Sequence, residues 1–241
     1  MTRWSVALLS AAITLGSALP LTLPQATAWA DDQADQNAKD GLELKSKTKS
    51  RVVYLRPGAT FNQFNKVAIL DPYIEFSKDW LRDYNRSVDL SRQISDSDLD
   101  GAKKSLTQQF RKIFTQELME GGYQVTDSQG SGVLVLRPAL VNIAVSAPDL
   151  MTPGRTRVYA SSAGSMTLYL ELWDGQSNMI LARVVDAQSD PQIYGQMMSS
   201  VTNQAAADRM MRMWAQELRK KLDIAEGKGD LRAGAKEPSQ G

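Results

Sequence analysis

The chain contains neither histidine nor cysteine. Its chemistry is therefore limited to carboxylates, hydroxyls, amides, lysine, arginine and aromatic rings. Ser-His-Asp and Cys-His nucleophiles, thiolate chemistry and an ordinary zinc site are excluded. No glycine-rich phosphate cradle is present; the glycines fall in turns and caps. Asp96-Ser97-Asp98-Leu99-Asp100-Gly101 resembles the start of a calcium loop, with carboxylates at positions one, three and five and glycine at six. Position twelve, where a bidentate glutamate is needed, is Thr107, and Lys103 and Lys104 intrude. The same acids suit the first turn of a helix. Ser46 and Lys49 have a Ser-x-x-Lys spacing, but no second motif accompanies them. Neither a metal nor a cofactor is expected.

Two stretches remain as candidates for binding. Residues 76–86 mix aromatic rings with both signs of charge: Asp79, Trp80, Arg82, Asp83, Tyr84 and Arg86. In a helix the acids and arginines pair at spacings of three and four. Such a segment can recognise a sugar, an anion or a protein, or it can be a cross-braced surface turn with Trp80 and Tyr84 packed inward. The second stretch holds Arg155 and Arg157 beside Pro153-Gly154. There the guanidinium groups can grip an anion or simply be solvated. A carboxylate pair for glycoside hydrolysis can be far apart in sequence, and no pair in this chain recommends itself.

Positioning these residues requires a sheet and helices, and both are legible. From Gly164 to Asp186, Met166, Leu168, Leu170 and Leu172 alternate with Thr167, Tyr169, Glu171 and Trp173. A polar loop opening at Asp174-Gly175 and a second apolar run make the unit a β-hairpin. With the loop at Asp174 to Asn178, Leu172 faces Ile180, Leu170 faces Ala182 and Leu168 faces Val184, leaving Arg183 outside. The outer face, with Tyr169, Trp173, Leu181 and Val185, is less polar than a solvated face should be and calls for a cover. Lys66 to Leu70 reads as a buried strand, Tyr123 to Thr126 as another, and Val133 to Val145 as a third, interrupted at Pro138.

Ser95 and Asp98 open an amphipathic helix with a stripe of Leu99, Ala102, Leu106, Phe110, Ile113, Phe114 and Leu118, closed by Gly121-Gly122. A second helix, from about Thr202 to Leu222, carries Ala207, Met211, Trp214, Leu218 and Leu222. The economical solution is an α+β fold: a mixed or mostly antiparallel sheet with the two amphipathic helices on one face, a two-layer sandwich.

The ends of the chain read differently. Residues 1–30 have the form of a secretory signal peptide: Arg3, an apolar run from Val6 to Leu19, and Ala28-Trp29-Ala30 before Asp31. Residues 31–50 are polar and read as a flexible leader, whose basic residues either touch anionic lipid or polymer or, more commonly for such a run, form a solvated linker. A single domain is expected over 51–226 and a disordered tail over 227–241. Formal net charge is +1, which gives no electrostatic footprint for nucleic acid. No stretch after the signal is apolar enough to cross a bilayer.

Phe76-Ser77-Lys78-Asp79-Trp80, Arg82-Asp83-Tyr84-Asn85-Arg86, Ile94-Ser95-Asp96, Ala147-Pro148-Asp149 and Ser162-Ala163-Gly164-Ser165-Met166-Thr167-Leu168 together resemble the bacterial envelope family called domain of unknown function 3313. The resemblance covers about Arg51 to Leu222. It implies a Gram-negative envelope protein, often a lipoprotein, and brings no established activity or catalytic residue. This chain, lacking cysteine, cannot be acylated as a lipoprotein, which points to the periplasm.

Three functions are compatible with these residues. The first is a non-catalytic periplasmic module that binds an envelope protein or polymer, using residues 76–86 and the Arg155/Arg157 stretch. The second is a carboxylate-dependent hydrolase of an envelope polymer, which requires a buried acid beside a cleft. The third is a small-ligand carrier, which requires an apolar cavity next to the sheet.

Overall fold

The computed structural model describes residues 36–145, 164–190 and 200–228. Residues 1–30, which read as a signal peptide, the Arg155/Arg157 stretch and nearly all of the C-terminal tail lie outside the described residues. The sheet comprises β1 (Glu43–Lys47), β2 (Arg51–Leu55), β3 (Lys66–Ile69), β4 (Tyr73–Phe76), β5 (Gln124–Thr126), β6 (Val133–Val145), β7 (Gly164–Asp174) and β8 (Ile180–Ser189). The helices are α1 (Lys78–Ser87), α2 (Asp96–Glu120) and α3 (Ser200–Ala225). The eight strands form one mixed sheet in the order β1-β2-β8-β7-β6-β3-β5, with β4 following β3 alongside β6. The pairs β1-β2, β2-β8, β8-β7 and β7-β6 are antiparallel, while β3 and β4 run parallel to β6 and β3 runs parallel to β5. Parallel neighbours need a crossover, and α2 supplies the one between β3 and β5.

Both long helices pack on one face of this sheet, as their stripes require. Phe110, Ile113, Phe114 and Leu118 of α2 and Ala207, Met211, Trp214, Leu218 and Leu222 of α3 share one core with Leu134, Leu136, Leu168, Leu170 and Leu172. Phe110 and Phe114 stack with centroids 4.0 Å apart. Ser95 closes a full capping box with Asp98, and Gly122, at φ +87°, turns the chain out of α2 in the left-handed region.

The hairpin keeps its expected face but not its expected pairing. Leu172 pairs with Ala182, Leu170 with Val184 and Leu168 with Asp186, a shift of two residues. Half of the shift comes from the turn, which is one residue longer than expected, so that Trp173 pairs with Ile180. The other half comes from a bulge that places the extra residue Leu181 between Ile180 and Ala182, the latter opposite Leu172. Leu181 rather than Ile180 joins the helix-facing core. Because the shift is even, the leucines still face the helices.

Arg183 does lie on the opposite face, directly across from Glu171, but it is only 3% exposed. Its cover is the stretch that reads as a flexible leader. Asn37 and Leu42 are buried, a turn at Asp40 sits over Arg183, and β1 begins at Glu43. The ordered domain thus starts well before Arg51. A charged segment with no period becomes ordered because Arg183 needs acceptors. Its guanidinium donates to Glu171 Oε1, Asp40 Oδ2 and Asn37 Oδ1 at 2.6, 2.6 and 2.5 Å.

Pro138 does not interrupt β6. Leu136 accepts from the Leu70 N–H, so Pro138, two residues on, aims its nitrogen to the same side. There the chain turns from β3 to β4 and no ladder donor is required.

Candidate functional site

The aromatic and charged stretch at 76–86 is the end of β4 followed by α1. Ser77 caps the helix: its N–H donates to the Ile143 carbonyl at 2.9 Å, and its Oγ accepts from the Trp80 N–H at 3.3 Å. Phe76, Trp80 and Tyr84 lie four residues apart and therefore on one side of the turn. They stack in series, with centroids 5.8 and 6.2 Å apart. The Trp80 indole N–H donates to the Val145 carbonyl at 2.8 Å, fixing α1 to the end of β6. Asn85 fixes its other end: its side-chain amide donates to the Ile94 carbonyl at 3.1 Å and accepts from the Ile94 N–H at 2.8 Å. Asn85 therefore holds α1 against the entrance of α2.

The charged residues occupy the solvent side. Arg82 bonds Asp79 and Asp83, both at 2.9 Å, which raises its guanidinium above the ordinary value, Asp83 being the larger cause. Arg86 is exposed in the last turn. Burial pushes the Tyr84 phenol up, and Arg92 partly offsets this. The six candidates on α1 thus divide, Trp80 and Tyr84 inward and Asp79, Arg82, Asp83 and Arg86 outward. Arg155 and Arg157 lie outside the described residues. The flanking residues Val145 and Gly164 pair with each other, and Val145 receives the Trp80 bond.

Behind the aromatic stack is a cleft of about 290 Å³. Phe76 and Trp80 form one wall, Leu99, Ala102 and Leu106 of α2 the second, and Ala206, Ala207 and Met210 of α3 the third, over Ile143 and Met166 of the sheet. Its position accounts for an asymmetry in α2. The stripe residues Phe110, Ile113, Phe114 and Leu118 are buried, whereas Leu99, Ala102 and Leu106 are only half-buried, because the N-terminal half of the helix overhangs the cleft. On the far side of α1, Asp83, Tyr84 and Ser87 border a shallower polar groove with Ala144, Val145, Gly164 and Ser165.

The cleft is poor in groups that could carry catalysis. Its polar lining is Asp98, Ser105, Gln109, Ser165, Asn203 and Gln204. Asp98 is held below the usual carboxylate range by the Ser95 hydroxyl and then the Ser95 N–H, the opposite of the shift that makes a general acid. The buried carboxylates among the described residues are committed elsewhere. Glu117 bonds Arg219 at 2.8 Å, and Asp190 pairs with Arg209. Asp186, 1% exposed, accepts from Arg51 at 2.7 Å and from the Trp214 indole at 3.1 Å. Asp223 accepts from Tyr123 at 3.2 Å. None of these four lines the cleft. The acids of the calcium-like motif lie on helical turns, with Asp98 in the capping box and Asp100 facing Lys103 at 3.9 Å.

The sequence singles out residues 76–86 as a candidate segment, helical or a braced surface turn, but does not assign it as a third helix, and neither its role as a wall nor the cleft itself was read. The three aromatics at four-residue spacing after a serine cap were the readable signal for a helix. The cleft draws on six separated elements, which no local pattern joins.

No helix of the described residues is long and apolar enough to cross a membrane. No curated protein matches this chain in sequence. Among solved structures it is similar to the PelC dodecamer from Paraburkholderia phytofirmans at 11% identity and a TM-score of 0.35, covering 68% of this chain and 96% of that one. It is also similar to a minor lipoprotein from Acinetobacter baumannii (10% identity, TM-score 0.31, covering 68% of this chain and 95% of that one). A DUF4136 family protein from Bacteroides thetaiotaomicron gives 10% identity and a TM-score of 0.33, covering 77% and 97%. Scores of this size mark loose likeness only. The sequence profile of the family described as protein of unknown function (DUF3313) matches residues 33–218, and the chain belongs to that family.

Proposed function

We propose that this is a non-catalytic periplasmic module that binds an envelope protein or polymer as an accessory or assembly component. The observation that carries the reading is the apolar cleft behind the α1 aromatic stack, which is fixed at both ends of α1 and lacks an activated acid or base. Periplasmic location rests on the signal-like first thirty residues and the absence of an acylatable cysteine. A volume of about 290 Å³ sits at the lower edge of small-molecule sites, roughly 300–1,000 Å³, and suits one or two inserted side chains of a partner. The charged outer side of α1, with Arg82 and Arg86, would form the polar rim of the same interface, and Arg155 and Arg157 remain proposed binding residues.

Crosslinking in intact cells followed by affinity isolation tests this. Wild type should retain a discrete partner that is lost on Ala102→Trp, which fills the cleft, and weakened by Arg82→Glu with Arg86→Glu. An identical partner set in all three would overturn the assignment. The same cleft supports a second reading, a carrier of a small apolar ligand. Native mass spectrometry of the purified protein separates the two: a bound species of small-molecule mass, displaced by Ala102→Trp, favours the carrier.

A further inference from the structure

We infer that the hairpin formed by β1 and β2 docks on an anionic bilayer surface. Lys45 and Lys47 lie in β1 and Lys49 in the connecting turn, and all are exposed. None is held by a carboxylate among the described residues, in contrast to Arg51 at the base of the turn, which bonds Asp186 and Glu217. Between Glu43 and Arg51 there is no acid; the intervening residues are Leu44, Ser46, Thr48 and Ser50. The chain's near-neutral total thus conceals a local cluster of three cations with no carboxylate partner among the described residues.

The hairpin is built to present that cluster. β1 is the terminal strand of the sheet and pairs with β2. The turn is closed by the Thr48 N–H on the Arg51 carbonyl at 2.7 Å and the Arg51 N–H on Thr48 Oγ1 at 3.0 Å. β2 is in turn bonded to β8, so the lysines are carried on an ordered edge. Leu44 stands beside them 55% exposed, the apolar contact that a headgroup boundary accommodates next to basic residues. Each lysine near an anionic leaflet strengthens partition by about five-fold. Lysines on an edge strand also deter strand addition, so a protein strand is the poorer occupant, and the surface fits lipid phosphate.

The test is sedimentation of the mature protein with vesicles of phosphatidylcholine, with and without phosphatidylglycerol. Binding is expected only to the anionic vesicles, and about 0.5 M salt should abolish it. The triple variant Lys45→Glu, Lys47→Glu, Lys49→Glu should lower partition on the order of one hundred-fold or more, with its melting temperature unchanged. Reversing Lys220 and Lys221 on α3 should leave partition as in wild type. Equal binding to neutral vesicles, no binding, or a triple variant that binds like wild type would overturn the inference. So would capture of a soluble polyanion such as heparin without vesicle binding. The cleft is untouched by these substitutions, so the binding-module reading stands or falls separately.

Discussion

Replacing Arg183 with methionine is the sharpest test of how the domain begins. Arg183 is 3% exposed and gives four hydrogen bonds: two to Glu171 at 3.0 and 2.6 Å, one to Asp40 at 2.6 Å and one to Asn37 at 2.5 Å. Removing one partner of a buried ion pair costs about 3–5 kcal/mol, because the other charges stay desolvated. Here the side chains left behind retain 15% and 23% exposure, at Glu171 and Asp40. Glu171 also keeps its donors, the Tyr169 hydroxyl at 3.0 Å and the Trp173 indole at 2.9 Å. Both features place the cost at the lower end, about 3 kcal/mol, which for a domain of this size lowers Tm by roughly 6–12 °C. Thermal unfolding by circular dichroism measures this. Hydrogen exchange adds a local readout, since residues 37–42 should lose protection while α2 and α3 keep theirs. Arg183→Met within about 1 kcal/mol of wild type, with residues 37–42 still protected, would refute the claim that Arg183 anchors this segment.

Other outcomes follow from the same structure. Ser95→Ala should lower Tm at neutral pH. The Asp98 carboxyl is depressed in the folded state, so its contribution is complete above the ordinary carboxylate value of about 4 and is lost as pH falls through the lowered one. The gap between Ser95→Ala and wild type should therefore narrow below about pH 4, read from melting curves across acid pH. The phenols of Tyr123 and Tyr169 are pushed up, chiefly by burial and then by neighbouring carboxylates. Stability should hold below about pH 10, the ordinary tyrosine value, and fall above it; native-state titration of both near pH 10 by ultraviolet absorbance would contradict this. A Cβ on Gly164 would lie 2.8 Å from the Ala144 carbonyl, so Gly164→Ala should separate β6 from β7 at the cleft mouth and cost about 1–3 kcal/mol, measured by urea unfolding.

What could be read from the sequence was what local periodicity encodes. The α2 capping box, the two helix stripes and the leucine face of the hairpin all follow from spacings within one element. The hairpin pairing was missed because the turn runs one residue further than expected and the bulge at Leu181 adds another, and neither leaves a mark on the alternation. The order of residues 37–47 was missed because its cause, Arg183, is more than one hundred residues away. Helix α1 is polar on average and owes its place to a cap, a stack of rings and the Asn85 clamp. The cleft arises where strand ends and three helix segments meet, and each contributes side chains that, taken singly, read as ordinary core.

The central claim, that the cleft behind α1 is a binding surface, is tested most directly by a photoreactive amino acid placed at Ser105. This exposed residue lines the cleft, and Gln108 on the same helix, exposed but not among the lining residues, provides the control. Irradiation of intact cells should give a discrete adduct from position 105 that is absent from position 108 and abolished by Ala102→Trp. The same adducts from both positions, or an adduct at 105 that survives the filled cleft, would contradict it.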